Sequence, residues 1–437
     1  MHAAVIIGVD QRQDGGIQPV ISARVRRGQN MDRRGFTRLM AVAAGSAASR
    51  AATGESGAPE GLSTSDCESA DEASQPAADA PAPEAVNVAD FRQQAQARLP
   101  RATFEYISTG SGDEYTLRDN TAAFQRLRVL PPLLKGVQQA DPSTTVLKHK
   151  ISLPVLLAPV AAQRMYHPQG VLAAARAAAA AGTVMGISSS AGNSVEEVAA
   201  ASPGPKWFQL YMPKDRQVAR RLVQRVEQAG FQAIIVTVDL GEWKDADRRN
   251  RFTLPKKMLV KHLRDTGFQQ VSNKMTAEQV AEFNAQAWDI SLSWDVFGWL
   301  REITKLPLLI KGVLRESDAE RAVEMGVDGI VVSNHGGRRL DGMPATIDML
   351  PDVVSATRGR AEVLLDSGVR RGTDVLKALA LGARAVLIGR PYAWALAADG
   401  EAGVRNVIEL FREEILNAMV STGCANVDQI DASLVMR

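Results

Sequence analysis

Cysteine is nearly absent from this 437-residue chain: Cys67 and Cys424 are the only two. One pair supports neither a disulfide framework nor a cysteine zinc site. Histidine is scarce as well, with five in all. None stands with carboxylates at convincing metal-ligand spacing, so no metal is expected. An excess of one charge is also missing: 51 Lys and Arg against 49 Asp and Glu leave a net charge of +2. That balance lacks the basic excess of a dedicated nucleic-acid binder. No apolar run reaches the roughly 18 residues of a membrane span. Neither a glycine-rich dinucleotide fingerprint after the first strand nor a Walker loop occurs. What is present is a hydrophobic fraction of 45%, enough for a large core. The chemistry has to come from elsewhere than metal or thiol.

The first ninety residues differ from the rest. Residues 53–86 are rich in Ala, Ser, Pro, Asp and Glu, and no Lys or Arg occurs between Arg50 and Arg92. Such a stretch buries too little apolar surface to offset its ordering entropy, so it reads as a disordered linker. Ahead of it, Arg33, Arg34 and Phe36 follow Met31 and precede the mild, Ala-rich run 39–48. This arrangement resembles a twin-arginine export signal, a route that carries folded, cofactor-loaded proteins. Met31 is then a candidate start. The expected organisation is an N-terminal extension over 1–52, a linker over 53–86 and one domain over 87–437, with export to the periplasm or cell exterior; without a working signal the protein stays in the cytoplasm.

From residue 150 onward a short apolar run, a polar or Gly-rich turn and a helical stretch recur. The runs are 153–160, 183–189, 206–211, 233–239, 307–313, 329–335, 361–368 and 385–391. They are rich in Val, Ile and Leu without strict alternation, as for parallel strands covered on both faces. Helical patterns lie between them, for example over 215–229, 316–325 and 373–381. Eight such units predict an α/β fold, a (β/α)8 TIM barrel. About 55 residues separate Asp239 from the helix near Asp295, longer than a usual strand-to-helix loop and a candidate lid. Its Lys256, Lys257, Lys261 and Arg264 read as a solvated face.

In a barrel enzyme the chemistry sits at the C-terminal ends of the strands. Those ends carry Ser188, Gln209, Tyr211, Thr237, Asp239, Lys311, Ser333, His335, Arg338, Asp366, Gly368, Arg370, Gly389 and Arg390. A purely structural barrel has no reason to gather them. Gly368, Arg370, Gly389 and Arg390 follow strands seven and eight, where barrels commonly hold phosphate through backbone N–H groups and cations. A phosphate-bearing ligand is therefore expected. Among the histidines, His2 lies in the N-terminal extension, and His149, His167 and His262 fall in loops or the barrel entrance. His335 ends a strand beside Gly336 and Gly337, with Asp239 as its orienting partner, which suits a general base.

The segment from Ser333 through Asn334, His335, Gly336, Gly337, Arg338, Arg339, Leu340 and Asp341 to Gly342 resembles the signature of FMN-dependent 2-hydroxy-acid oxidases and dehydrogenases. The similarity runs from about residue 90 to 430, including 106–120, 158–161, 208–211, 237–239, 309–312 and 366–372. The 158–162 and 366–368 variants look most like the L-lactate oxidase branch. This resemblance implies FMN as cofactor, its phosphate held by Gly368, Arg370, Gly389 and Arg390, with Asp366 on the ribityl chain. Pro159, Ala161, Ser188, Gln209 and Thr237 would line the isoalloxazine. Ser333 belongs to the cofactor set, and Lys311 would stand by the ring, its charge favouring the anionic reduced form. Arg338 and Tyr106 would take the substrate carboxylate, Tyr211 the hydroxyl, and His335 the proton. Whether that proton leaves carbon or oxygen is not a matter of sequence. The resemblance also implies a homo-oligomer, a tetramer or larger.

Three departures stand out. The family often carries an Arg shortly after the strand-four Asp; here Lys244 keeps the charge but loses the bidentate geometry. Ser190 stands where glycolate oxidases carry a tryptophan, leaving room beside the substrate methyl position. Some members add an N-terminal haem domain; the low-complexity segment before residue 87 is not expected to form one, and no Cys-x-x-Cys-His motif occurs. The expected reaction is oxidation of an L-2-hydroxy acid, L-lactate first, with oxygen as acceptor. A quinone or cytochrome acceptor, or the monooxygenase outcome, shares the same first half-reaction. A flavin-dependent isomerase, a Schiff-base aldolase using Lys311 and a non-catalytic binding barrel are the readings from other classes. The pairing of Arg338 and Tyr106 with His335 suits a hydroxy-carboxylate better than any of these.

Overall fold

The computed structural model describes residues 6–11, 17–22, 84–240 and 251–437. The twin-arginine segment, Cys67, nearly all of the 53–86 stretch and Lys244 lie outside the described residues. In the N-terminal unit, Ile6–Gln11 and Ile17–Ser22 pair antiparallel. The remaining elements belong to a second unit, Pro81–Arg437.

Eight parallel strands close into a barrel, as the repeating pattern predicts. They are β1 (Val155–Leu157), β2 (Met185–Ser188), β3 (Lys206–Leu210), β4 (Ala233–Thr237), β5 (Leu308–Val313), β6 (Gly329–Val332), β7 (Glu362–Asp366) and β8 (Ala385–Ile388). β8 pairs back onto β1. The principal helices that follow them are α1 (Gly170–Ala180), α2 (Val195–Ala201), α3 (Arg216–Gln228), α4 (Asp295–Ile303), α5 (Glu316–Glu324), α6 (Thr346–Thr357), α7 (Gly372–Ala380) and α8 (Arg390–Thr422).

The strands lack polar alternation because both faces are buried. Leu156, Trp207, Ala233, Ile235, Leu309, Val331, Leu364 and Leu387 form one buried cluster, the plug inside the barrel. Their neighbours Leu157, Phe208, Ile234, Ile310, Val332, Leu365 and Val386 join the larger cluster under the helices. Side chains alternate with period two along a strand. The next inward position above the plug is therefore Gln209 on β3, Thr237 on β4, Lys311 on β5, Ser333 after β6 and Asp366 on β7. The same periodicity that fills the core thus delivers the polar set to one mouth of the barrel.

Most of the strands end sooner than the apolar runs do. His335 (φ 58°), Ser367 (φ 76°) and Gly368 (φ 95°) adopt left-handed conformations that leave the extended ladder. A further departure concerns the segment between β4 and α4, which sequence reading makes a long loop. It contains two helices, Lys256–Thr266 and Ala277–Ala287. Pro255 starts the first and Gly267 (φ 117°) ends it, while Thr276 and Gln279 form a capping box on the second. His262 is consequently a buried helix residue and not a loop histidine. Its neighbours Val260 and Leu263 face a small apolar cluster with Phe268 and Val280. The basic side chains remain near the surface: Lys261 pairs with Glu197 and Asp265, and Lys256 donates to the Asn273 carbonyl.

Candidate active site

A cleft opens at the C-terminal mouth of the barrel. One wall is formed by Ala158, Pro159, Val160 and Ala161 after β1, facing Leu387, Ile388 and Gly389 at the end of β8. The floor carries Ser188, Gln209, Thr237 and Lys311. Asp366, Gly368, Arg370 and Arg390 also line it, as do Tyr106, Tyr211, His335 and Arg338. Of the residues expected at the site, Asp239 and Ser333 stand behind the lining, each bonded to a group that does line it.

His335 owes its position to backbone geometry. It and Gly336 and Gly337 are successive left-handed residues, at φ 58°, 68° and 69°. This turn lifts the ring over the barrel mouth, where Nδ1 lies 2.9 Å from Asp239 Oδ1 and 3.1 Å from Oδ2. The pair is held from behind. Asn334 and Asn120 exchange amide hydrogen bonds of 2.9 and 2.7 Å, and the His335 N–H donates to Ser333 Oγ. Burial pushes the imidazole down to about 4, opposed by Asp239 and assisted by Arg339 and Lys311. Burial also works against the Asp239 charge, but His335, Lys311 and Arg339 outweigh it and hold the carboxyl well below its usual range. A neutral imidazole backed by a fixed carboxylate is a proton acceptor with Nε2 as its available atom.

Lys311 is buried with its Nζ 2.8 Å from Ser333 Oγ and 3.1 Å from Asp366 Oδ2. Burial disfavours its charge, yet Asp366 and Asp239 more than compensate, so the ammonium is kept above the ordinary lysine value. Ser333 braces Lys311 and the His335 turn from inside the core, its Oγ accepting from both. Arg338 donates from Nη1 to the Tyr106 carbonyl at 2.5 Å and lies over the Tyr106 ring at 5.1 Å. The ring itself stacks on Phe252 at 4.2 Å. Partial burial of Tyr211 raises its phenol above the usual value.

Two other arginines line the cleft. Arg390 donates to the carbonyls of Ile107, Gly336 and Thr109, tying the first residue of α8 to the His335 turn and to the end of the helix Arg101–Ser108. Burial pushes Arg370 down to about 10, and it lies over Trp394 at 5.4 Å. Gly368 is indispensable on steric grounds: a Cβ there would lie 2.1 Å from the Asn120 carbonyl oxygen, at a φ of 95°. Gly368→Ala is expected to cost about 3 kcal/mol or more in stability. Thermal melting with flavin content checks this, and an unchanged melting temperature in a fully yellow variant would contradict it.

Sequence reading missed two features. Arg339 stands beside His335 and Tyr211, its Nη2 3.3 Å from the Tyr211 hydroxyl. His262 reaches to 3.5 Å from Ser190 Oγ and stacks on Trp288, whose ring edges Tyr211 at 6.4 Å. The room left by a small residue at 190 is therefore partly closed from outside.

The matching family model is that of FMN-dependent dehydrogenases, over residues 95–437. The chain belongs to this family. It is 48% identical over 361 residues to 2-hydroxyacid oxidase 1 of Mus musculus, covering 81% of this chain and 97% of that one. It is 49% identical over 350 residues to glycolate oxidase 1 of Oryza sativa subsp. indica, covering 79% and 94%. A crystal structure of mandelate oxidase aligns with a TM-score of 0.72 at 41% identity, covering 81% and 98%. FMN is thus the cofactor and 2-hydroxy acids the class of compound oxidised. These relatives bear the names of 2-hydroxyacid, glycolate and mandelate oxidases. They do not carry the narrower likeness to lactate oxidases, which rests on two short cleft-lining segments and not on the whole chain.

The cleft suits FMN on its own evidence. The buried Nε2 of Gln209 has no hydrogen-bond partner among the described residues, while its Oε1 accepts from Ser188 at 3.0 Å. A buried amide N–H left over at the floor of a cleft calls for an acceptor on a ligand. The apolar wall, the Lys311 ammonium and the arginines suit a flat heteroaromatic ring with a phosphate at its end.

Proposed function

We propose that this enzyme oxidises a small L-2-hydroxy acid, L-lactate first, to the 2-oxo acid, with oxygen as the electron acceptor. The observation that carries the reading is the partly buried His335–Asp239 pair, 2.9 Å apart, facing a cleft that also presents Arg338, two tyrosines and Lys311. Bound FMN supplies the two-electron acceptor. The protein supplies the rest. Arg338 and Tyr106 take the substrate carboxylate at the outer end, with Lys244 as a further cation. Tyr211 meets the substrate hydroxyl. His335 accepts a proton on Nε2 while its Nδ1–H donates to Asp239, whose charge stabilises the imidazolium so formed. Lys311 keeps a positive charge at the floor. Gly368, Arg370, Gly389 and Arg390 hold the phosphate end, with Asp366 on the ribityl chain and Pro159, Ala161, Ser188, Gln209 and Thr237 around the ring.

L-lactate is chosen because Ser190 leaves space for a methyl group, while His262 and Trp288 bound that space against a much larger side chain. Comparing kcat/KM for glycolate, L-lactate and L-mandelate tests it. A preference for glycolate or mandelate would overturn the choice of lactate without touching the chemistry. We also propose export through the Arg33–Arg34 segment, checked by fractionation of a producing cell.

The depressed His335 value sets a pH dependence. Only the neutral ring accepts a proton, so activity is lost as pH falls through its folded-state value. With that value at about 4, kcat/KM is expected to hold through pH 6 and decline toward pH 4. An acid limb at the ordinary histidine value of 6.5 would contradict the burial argument.

A further inference from the structure

We propose that Arg339 is a positioning residue that fixes the Tyr211 phenol as a hydrogen-bond donor toward the substrate. The inference rests on the reading of the site given above. Arg339 Nη2 lies 3.3 Å from Tyr211 Oη, with the guanidinium carbon 6.0 Å from the ring centroid. A guanidinium has five N–H donors and no acceptor. In that contact the Tyr211 oxygen must therefore accept. Its single proton is left to point elsewhere, and Tyr211 lines the cleft. The phenol also stays protonated, since its burial raises it further above neutrality. Trp288, edge-on to the ring at 6.4 Å, holds it from another side.

The same guanidinium faces the base. Its Nε lies 3.4 Å from His335 Nδ1, whose proton is directed to Asp239. Among the described residues, the ionisable groups around that ring are Asp239 beyond β4, Lys311 on β5, Tyr211 beyond β3 and Arg339 on its own turn. Asp239 favours the imidazolium, while Arg339 and Lys311 oppose it. One side chain thus sets the donor and helps keep the base neutral. The neighbouring Arg338 is differently engaged, with the Tyr106 ring and carbonyl.

The test is anaerobic stopped-flow reduction of the FMN-loaded enzyme by L-lactate, glycolate and L-mandelate. Arg339→Met and Arg339→Lys are compared, each alone and combined with Tyr211→Phe. Arg339→Met is expected to slow reduction about 10- to 100-fold, the cost of one charge-assisted hydrogen bond. In the Tyr211→Phe background the same change should cost less than about threefold, because the acceptor is already gone. Its acid limb should also move to higher pH. Equal loss in both backgrounds, or no loss in either, would overturn the proposal while a reducible wild type leaves the functional reading intact. A wild type that none of the acids reduces would remove both. Where Arg339→Met fails to retain flavin, Arg339→Lys decides. A lysine is also donor-only, so a rate within about threefold of wild type supports the lock. A loss beyond tenfold overturns it.

Discussion

His335→Gln is expected to give a yellow protein that 2-hydroxy acids reduce about 10²- to 10⁴-fold more slowly than wild type. The residue lines the cleft but contributes little to its walls, so cofactor retention should survive. Gln keeps an amide N–H for Asp239 and fills a similar volume, yet it cannot take up a proton at neutral pH. Asp239 on its own is no substitute: its carboxylate stands behind the ring and is held firmly ionised by its neighbours. Stopped-flow reduction after matching flavin content separates loss of base from loss of cofactor. Rapid reduction of the variant would remove His335 from the proton-accepting role.

Lys311→Met is expected to have the second large effect, on two quantities at once. Lys311 and Asp366 form a buried pair, with side-chain exposures of 5% and 9%. Removing the ammonium strands a carboxylate in the core, which costs about 3–5 kcal/mol in stability. It also removes the fixed positive charge from the floor of the cleft, where loss of one such group typically costs about 100-fold or more in rate. The two effects separate in the double variant Lys311→Met with Asp366→Asn. Neutralising the carboxylate should restore much of the melting temperature and none of the reduction rate. Full recovery of both would mean that Lys311 acts only as a structural partner of Asp366.

Much of this architecture was legible before any coordinates. The eight apolar runs mark the eight strands, and their polar ends mark the mouth, because strand periodicity places Gln209, Thr237, Lys311 and Asp366 directly above the core residues two positions earlier. The strand ends were less legible. His335 and Ser367 are not glycines, and their left-handed backbones depend on the surrounding turn. The helices at 256–266 and 277–287 did carry signals, in Pro255, Gly267 and the Thr276–Gln279 box, though the basic side chains of the first read only as a solvated face within a long loop. Arg339 left no trace. Consecutive arginines after two glycines look alike in sequence, and only the turn decides that Arg338 lies over Tyr106 while Arg339 meets Tyr211. His262 is similar: its approach to Ser190 is a contact across 72 positions.

The most direct test is spectroscopy of the purified, FMN-loaded chain under anaerobic conditions, with L-lactate added first and air afterwards. The account predicts that L-lactate bleaches the yellow flavin band, and that air restores it with formation of hydrogen peroxide. A flavin band that L-lactate leaves untouched, in protein that is folded and fully loaded, would contradict it.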